Sequence, residues 1–549
     1  MRAISIPSQY RKDMQMYMKL ALLPESSDEK RRIPVLLKEV LSRVNKDKYP
    51  DFYTTILFEL ATYIFENFEH TDEISIDEAI AHLREAKRIR VAKEKESHEL
   101  ALINLRLGQF FLKQYRGGDV KIENLQNAID TLSDALDFYR NANAESQFSS
   151  EFAQTQFLLG TAHYLFRAGN RTENILKAID AYKSALMIYK PEKFPKMYIN
   201  VINNLASSYL ELGQLGIKRE QNVKNSIKYY EILLKRISFS TNPRKFASVQ
   251  SNLGSAYTEL AELGHEDAFN IAVNLLNQSL ALFSSLKLPK EKVTAKLNLG
   301  RAYRSSNNPE DINMSIAIFE DLALTLKEKH PEDYVFCQTN LALALIKYSE
   351  FAENKELFLT EAIRIYKKAL NGFAVEENPS MYISIKMAIS DLYSTLTKRG
   401  LKTFFPLAFI HLMDAFRTYN KLETDFSPMT IAQMTKNFSE IFVTFFYVED
   451  VLEEFLQEEI YCILSVLKHM KRVLGQNKSV EAIFDASLYL LEFLKDNSKT
   501  MDLFFSYLEN KKFDINDSIK MISDIVSSFV GLLKTRSFVQ IEELSKEKY

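Results

Sequence analysis

The chain has 549 residues with 70 Lys and Arg against 72 Asp and Glu, and this near-balance (net charge −2) argues against nucleic-acid binding driven by bulk charge. Fourteen Gly and 13 Pro in that length leave too little punctuation for an all-β fold and favour helix throughout. No stretch approaches the roughly 18–20 apolar residues of a membrane-spanning helix, and the polar opening residues carry no apolar run of secretory type, so a cytoplasmic location is expected.

In chain order, residues 1–49 hold two short amphipathic helical patterns, Tyr10 to Leu23 and Ile33 to Val44, the second with Pro34 at its start. They are expected to form an N-terminal cap. From residue 50 a repeat begins, and proline marks its register because it tolerates the first turn of a helix but not the interior. Pro50, Pro195, Pro243, Pro289, Pro331 and Pro379 each stand 11 residues before a small residue: Ala61, Ala206, Gly254, Gly300, Ala342 and Ser390. Ser97 and Ser149 occupy the same offset before Gly108 and Gly160, where a hydroxyl would cap the helix.

A second helix follows in each unit. Its small residues, Ala79, Ala128, Ala178, Ser226, Ala272, Ser315, Ala362 and Ala408, are each followed four positions later by a large one: Leu83, Leu132, Tyr182, Tyr230, Leu276, Phe319, Tyr366 and Leu412. Small beside large at this spacing lets two helices approach and interlock. Eight helix pairs over residues 50–425 are predicted. The central copies are the most alike: Asn204-Leu205-Ala206 with Tyr209, Asn252-Leu253-Gly254 with Tyr257, and Asn298-Leu299-Gly300 with Tyr303.

After residue 425 the pattern changes. Pro428 opens a degraded ninth unit, and the aromatic run Phe442 to Tyr447 departs from the repeat. The amphipathic segments beyond it, within 426–549, are expected to be helices that cover the apolar edge of the array. A surface for self-association is the alternative reading of this region.

Leu-Gly-x-x-Tyr in the first helices (Leu253, Gly254, Tyr257; Leu299, Gly300, Tyr303) and Ala-x-x-x-Tyr-x-x-Ala in the second (Ala178, Tyr182, Ala185; Ala362, Tyr366, Ala369) resemble the tetratricopeptide repeat. The resemblance covers residues 50–425. It implies an all-α, right-handed superhelical solenoid of antiparallel helix pairs, here closed by an all-helical C-terminal cap. The repeats are longer than the family's ~34 residues and in this are similar to arrays in prokaryotic signalling and defence proteins.

The candidate partner site is a ladder of asparagines. Asn204, Asn252, Asn298 and Asn340 each lie two residues before the small residue of a first helix, an offset expected to face the concave groove. An amide offers both a donor and an acceptor, so it suits the backbone of an extended peptide. In tetratricopeptide proteins, the resemblance implies, asparagines at this site hold a ligand's backbone. The structural alternative is that the amides bond between adjacent helices and set the stacking of repeats. Arg301, Arg304 and Lys347 would add contacts for acidic groups, and Phe157 and Tyr164 apolar ones, which suits a mildly acidic peptide.

Signals for chemistry are weak. The eight histidines are scattered without metal-ligand spacing, no Gly-rich phosphate loop is present, and no cofactor or metal is implied. His163 falls at a packing position and is expected in the core. Cys337 and Cys462 lie 125 residues apart in apolar patterns and read as buried small hydrophobes. Asn124, Asn174 and Asn222 read as caps of second helices. The reading is therefore a non-catalytic scaffold that binds a peptide segment of a partner protein. The alternatives are a regulatory or sensor subunit of a signalling or defence complex, and an RNA-binding protein using a local patch such as Lys87, Arg88, Arg90, Lys93 and Lys95.

Overall fold

A computed structural model describes residues 6–24, 27–67, 76–93, 97–116, 121–141, 148–168, 170–327, 331–375 and 378–401, followed by 404, 407, 408, 410–412, 414, 415 and 418. The expected C-terminal region, 426–549, lies outside the described residues, as does Cys462. Two short helices come first, α1 (Arg11–Ala21) and α2 (Ile33–Arg43), each led by a 3₁₀ turn. The pairs follow: α3 (Pro50–Asn67) and α4 (Ile76–Lys93), α5 (His98–Arg116) and α6 (Ile122–Asn141), α7 (Ser149–Leu165) and α8 (Arg171–Ile188). Then come α9 (Pro195–Gln214) and α10 (Arg219–Arg236), α11 (Pro243–Glu262) and α12 (Glu266–Ser285), α13 (Pro289–Ser305) and α14 (Pro309–Leu326). Last are α15 (Pro331–Tyr348), α16 (Lys355–Leu370) and α17 (Pro379–Lys398).

Every first helix from α9 onward begins at a proline, as does α3, because proline's missing N–H is an orphan at that position anyway. Asparagine precedes several helices and supplies the missing acceptor. Asn242, Asn308, Asn354 and Asn378 each take a hydrogen bond from a backbone N–H of the first turn they cap. Ser97 does the same for α5, accepting from the Leu100 N–H at 3.2 Å. Ser149 does not: it is already inside α7, whose preceding residue is Phe148.

The small-to-large register is realised atom by atom. Gly108 faces Leu132, Gly160 faces Tyr182, Gly254 faces Leu276 and Gly300 faces Phe319, each so closely that a Cβ would sit under 3.0 Å from the partner side chain. The pairs are antiparallel: Lys296 meets Asp321 and, nearer the other end, Gly300 receives the Ser315 hydroxyl on its carbonyl at 2.7 Å. Tyr139, Tyr182, Tyr230 and Tyr366, from second helices, are among the largest fully buried side chains.

The chain divides into two compact units, residues 1–208 and 209–549, with the division inside α9. In the first, Tyr10 of the leading 3₁₀ turn, Met14 of α1 and Leu37 and Val40 of α2 join the same core as Phe52, Ile56 and Leu60 of α3 and Phe110 of α5. In the second, the largest core runs from Leu297 through Phe319, Leu345 and Tyr366 to Leu392 and Leu412.

Candidate partner-binding site

The four asparagines of the ladder do not share one environment. Asn204, in the first unit, is half-buried and donates through Nδ2 to Tyr182 Oη at 3.3 Å and, at 3.5 Å, to Thr161 Oγ1. The Tyr182 hydroxyl also bonds Thr161, so this amide closes a small triad linking α7, α8 and α9. Burial pushes the Tyr182 phenol up to about 12, keeping it a neutral donor. Asn340 is 5% exposed, and its Nδ2 donates back to the Phe336 carbonyl one turn earlier in α15 at 2.9 Å.

Asn252 on α11 and Asn298 on α13 differ. Both are half-buried, and neither amide hydrogen-bonds another group among the described residues. Neither is cut off from solvent, since no orphaned buried atom belongs to them. A half-buried amide of this kind has both donors and its acceptor open to water.

Arg301, Arg304 and Lys347 lie in the same unit, and the two arginines form part of one charged network. Arg301 Nη2 donates to Glu259 Oε1 at 2.6 Å, and Arg304 Nη2 to Glu262 Oε1 at 3.1 Å. From α10, Arg219 Nη2 bridges both acids, at 2.7 Å to Glu259 Oε2 and 2.7 Å to Glu262 Oε2. Gln214 Nε2 adds a bond to Glu259 Oε1 at 2.9 Å, and Lys347 Nζ donates to the Ser305 carbonyl at 3.2 Å. Glu259, the hub, is only 3% exposed. Burial pushes its carboxyl up, but Arg301, Arg219 and Gln214 outweigh that and hold it below the ordinary carboxylate range.

The sequence points to the cations of this network but not to the acids that hold them. The missed signal is a matched spacing: Glu259-x-x-Glu262 near the end of α11 and Arg301-x-x-Arg304 near the end of α13 align pairwise across the two helices. Of the other groups singled out, Phe157 packs 6.1 Å from the Tyr182 ring, and Tyr164 lies under the Arg171 guanidinium at 5.3 Å.

In the basic cluster, Lys87 pairs with Asp134, while Arg90 and Lys93 share Asp51. His163 is half-buried, and burial lowers it to about 4. Cys337 is buried with its thiol against the Phe319 carbonyl at 3.1 Å, and burial pushes it up to about 12. Among the described residues no group of three or more His, Cys, Asp or Glu is placed to hold a metal ion, and no helix is long and apolar enough to cross a membrane.

The cap assignment for Asn174 and Asn222 is corrected. Each sits one turn inside its helix, where the N–H groups ahead are already committed, and donates instead of accepting. Asn174 Nδ2 bonds the Phe166 and Ala168 carbonyls at 3.1 and 2.9 Å, and Asn222 Nδ2 the Ile217 carbonyl at 2.7 Å. They tie down the loop between the two helices of a pair. The cap of α8 is Asn170, which accepts from the Glu173 N–H.

Consecutive antiparallel pairs with this small-to-large interlock define a helical-repeat protein of tetratricopeptide-like construction. No family model and no curated protein matches the sequence. Among solved structures, the chain is similar to a Rap protein complexed with competence and sporulation factor, at 14% identity and a TM-score of 0.41, covering 72% of this chain and 98% of that one. It is similar to a STAND signal-transduction ATPase with a tetratricopeptide-repeat sensor from Pyrococcus horikoshii, at 12% identity and a TM-score of 0.43, covering 94% and 71%. A human IFIT1 dimer with PPP-AAAA matches at 13% identity and a TM-score of 0.34, covering 88% and 97%. At these values the likenesses carry no ligand or activity across to this chain.

Proposed function

We propose that this protein is a non-catalytic interaction scaffold that holds an extended segment of a partner protein along successive first helices, with Asn252 and Asn298 gripping the segment's backbone. The observation that supports this reading is the contrast within the ladder. Asn204 and Asn340 have their amide NH2 groups engaged inside the chain, whereas Asn252 and Asn298, at the same register, leave donor and acceptor unused. A side-chain amide meeting a peptide unit makes two hydrogen bonds without reading the partner's side chains, so affinity comes from the backbone and selectivity from neighbouring groups. The acting pair is thus narrower than the full ladder, and Asn204 and Asn340 serve the packing that presents it.

Affinity purification from cell lysate with wild-type protein beside Asn252→Ala/Asn298→Ala, each checked for equal helicity, tests the reading once partners are identified and their affinities measured. Loss of two such bonds weakens a genuine ligand by roughly tenfold or more. A partner set bound equally by both proteins would rule out a role for these amides.

A further inference from the structure

We infer that the outer face of α12 is a docking surface for a second copy of this chain, the two α12 helices lying antiparallel about a twofold axis. The inference does not depend on the peptide reading above. Charge is missing from this face. Every other second helix among the described residues exposes charged side chains beyond its first turn: α8 shows Lys177, Asp180 and Lys183, and α10 shows Lys224, Lys228 and Glu231. From Asn270 to Ser285, α12 exposes none. What it exposes instead are amides, serines, Ala281 and Ile271, the last 40% exposed. This side lies across the helix from Ala272 and Leu276, which meet Gly254 of α11, so it faces away from its own pair. Depletion of charge is the compositional mark of the centre of an interface.

The occupant is identified by self-complementarity. The exposed positions of α12 are symmetric about the point between Asn277 and Gln278, so an antiparallel copy brings them face to face. Asn270 then faces Ser285 of the second copy, Ile271 faces Ser284 and Asn274 faces Ala281, a larger side chain meeting a smaller one each time. At the axis Asn277 faces Gln278, and each amide can both donate to and accept from the other. Asn277 makes no hydrogen bond among the described residues, and Gln278, which accepts from Gln250 and donates to Asn274, keeps one N–H and one lone pair. The helix ends fix the direction. Glu266 and Asp267 are exposed at the start of α12, Lys287 and Lys290 just beyond its end, and none of the four is ion-paired among the described residues. Antiparallel docking sets the acids of each copy against the lysines of the other, twice over. A parallel pair would set acid against acid.

The test is sedimentation equilibrium of the full chain, wild type beside surface variants checked for equal helicity by circular dichroism. Wild type is expected to show a monomer–dimer equilibrium. Asn277→Asp places like charges at the axis and touches no internal bond, so it should weaken the dimer by about tenfold or more while the fold persists. Two charge-reversed variants, Glu266→Lys/Asp267→Lys and Lys287→Glu/Lys290→Glu, should each lose self-association, because lysine then meets lysine or acid meets acid. Mixed in equal amounts, they should associate again, since every acid of one now opposes a lysine of the other. A wild-type chain that stays monomeric up to about 200 μM overturns the inference. So does a dimer that Asn277→Asp leaves unchanged, which would place self-association elsewhere on the chain. Charge-reversed variants that dimerise alone as wild type does, or fail to associate when mixed, overturn the antiparallel docking of α12.

Discussion

Gly108 and Leu132 approach so closely that a Cβ on residue 108 would lie 2.4 Å from Leu132 Cγ, a branch point close to the second helix's backbone. This is the tightest of the glycine crossings and shows what the small-to-large register enforces: the two helices of a pair meet nearly backbone to side-chain base. Gly108→Ala is expected to destabilise the first unit by about 1–3 kcal/mol through overpacking, although alanine is intrinsically the better helix former by ~1 kcal/mol. Leu132→Ala alone should cost roughly 2–5 kcal/mol as a cavity. The double variant should be more stable than the sum of the two effects implies, because each relieves the other's defect. Urea unfolding of the four proteins checks the coupling; strictly additive losses would contradict the packing described.

Within the asparagine ladder, stability and binding should separate. Asn204→Ala removes bonds to Tyr182 and Thr161 and is expected to cost about 1 kcal/mol. Asn252→Ala and Asn298→Ala, with no partner to lose among the described residues, should stay within ~0.5 kcal/mol of wild type. Chemical denaturation of the single variants measures this, and equal destabilisation by all three would make the ladder structural throughout.

Glu259→Gln strips the network of its hub and leaves Arg301 partly buried without a countercharge, while Arg219 retains Glu262. A loss of about 3 kcal/mol is expected. Since the folded carboxyl is held below the ordinary range, its contribution is present above the unfolded-state value and is lost as pH falls through the folded one. The variant should therefore lose less stability than wild type on acidification from neutral pH, as read by thermal melts at stepped pH.

His163 and His411 both sit near 4, chiefly because burial disfavours the charged ring, with nearby lysines adding to the effect. An unfolded chain takes up protons at these rings near 6.5, so it binds more protons than the folded one between about 6.5 and 4, and stability falls as pH drops through that window. Each ring remains partly solvated, which reduces the effect to on the order of 1–2 kcal/mol. His163→Gln should flatten the pH dependence of the melting temperature over that range, and an unchanged slope would show that the ring is solvated and titrates normally.

By itself, the sequence determined where helices begin and which faces meet. Proline at the first helical position, asparagine or serine before it, and small residues four places from large ones act over a single turn or a single crossing, so local periodicity carries them into the fold. The tertiary structure alone decided which polar groups remain available. Arg301 and Arg304 take partners 42 residues earlier, one helical turn off the 46-residue recurrence of Gly254 and Gly300, because a long guanidinium side chain reaches along the neighbouring helix to an acid that the repeat register does not point to. Two of the cations that read as ligand contacts, Arg301 and Arg304, are thereby engaged by acids of the chain itself. The asparagines divide for a similar reason: identical offsets meet different neighbours. Tyr182 and Thr161 reach Asn204, the Phe336 carbonyl takes the Asn340 amide, and nothing among the described residues bonds Asn252 or Asn298.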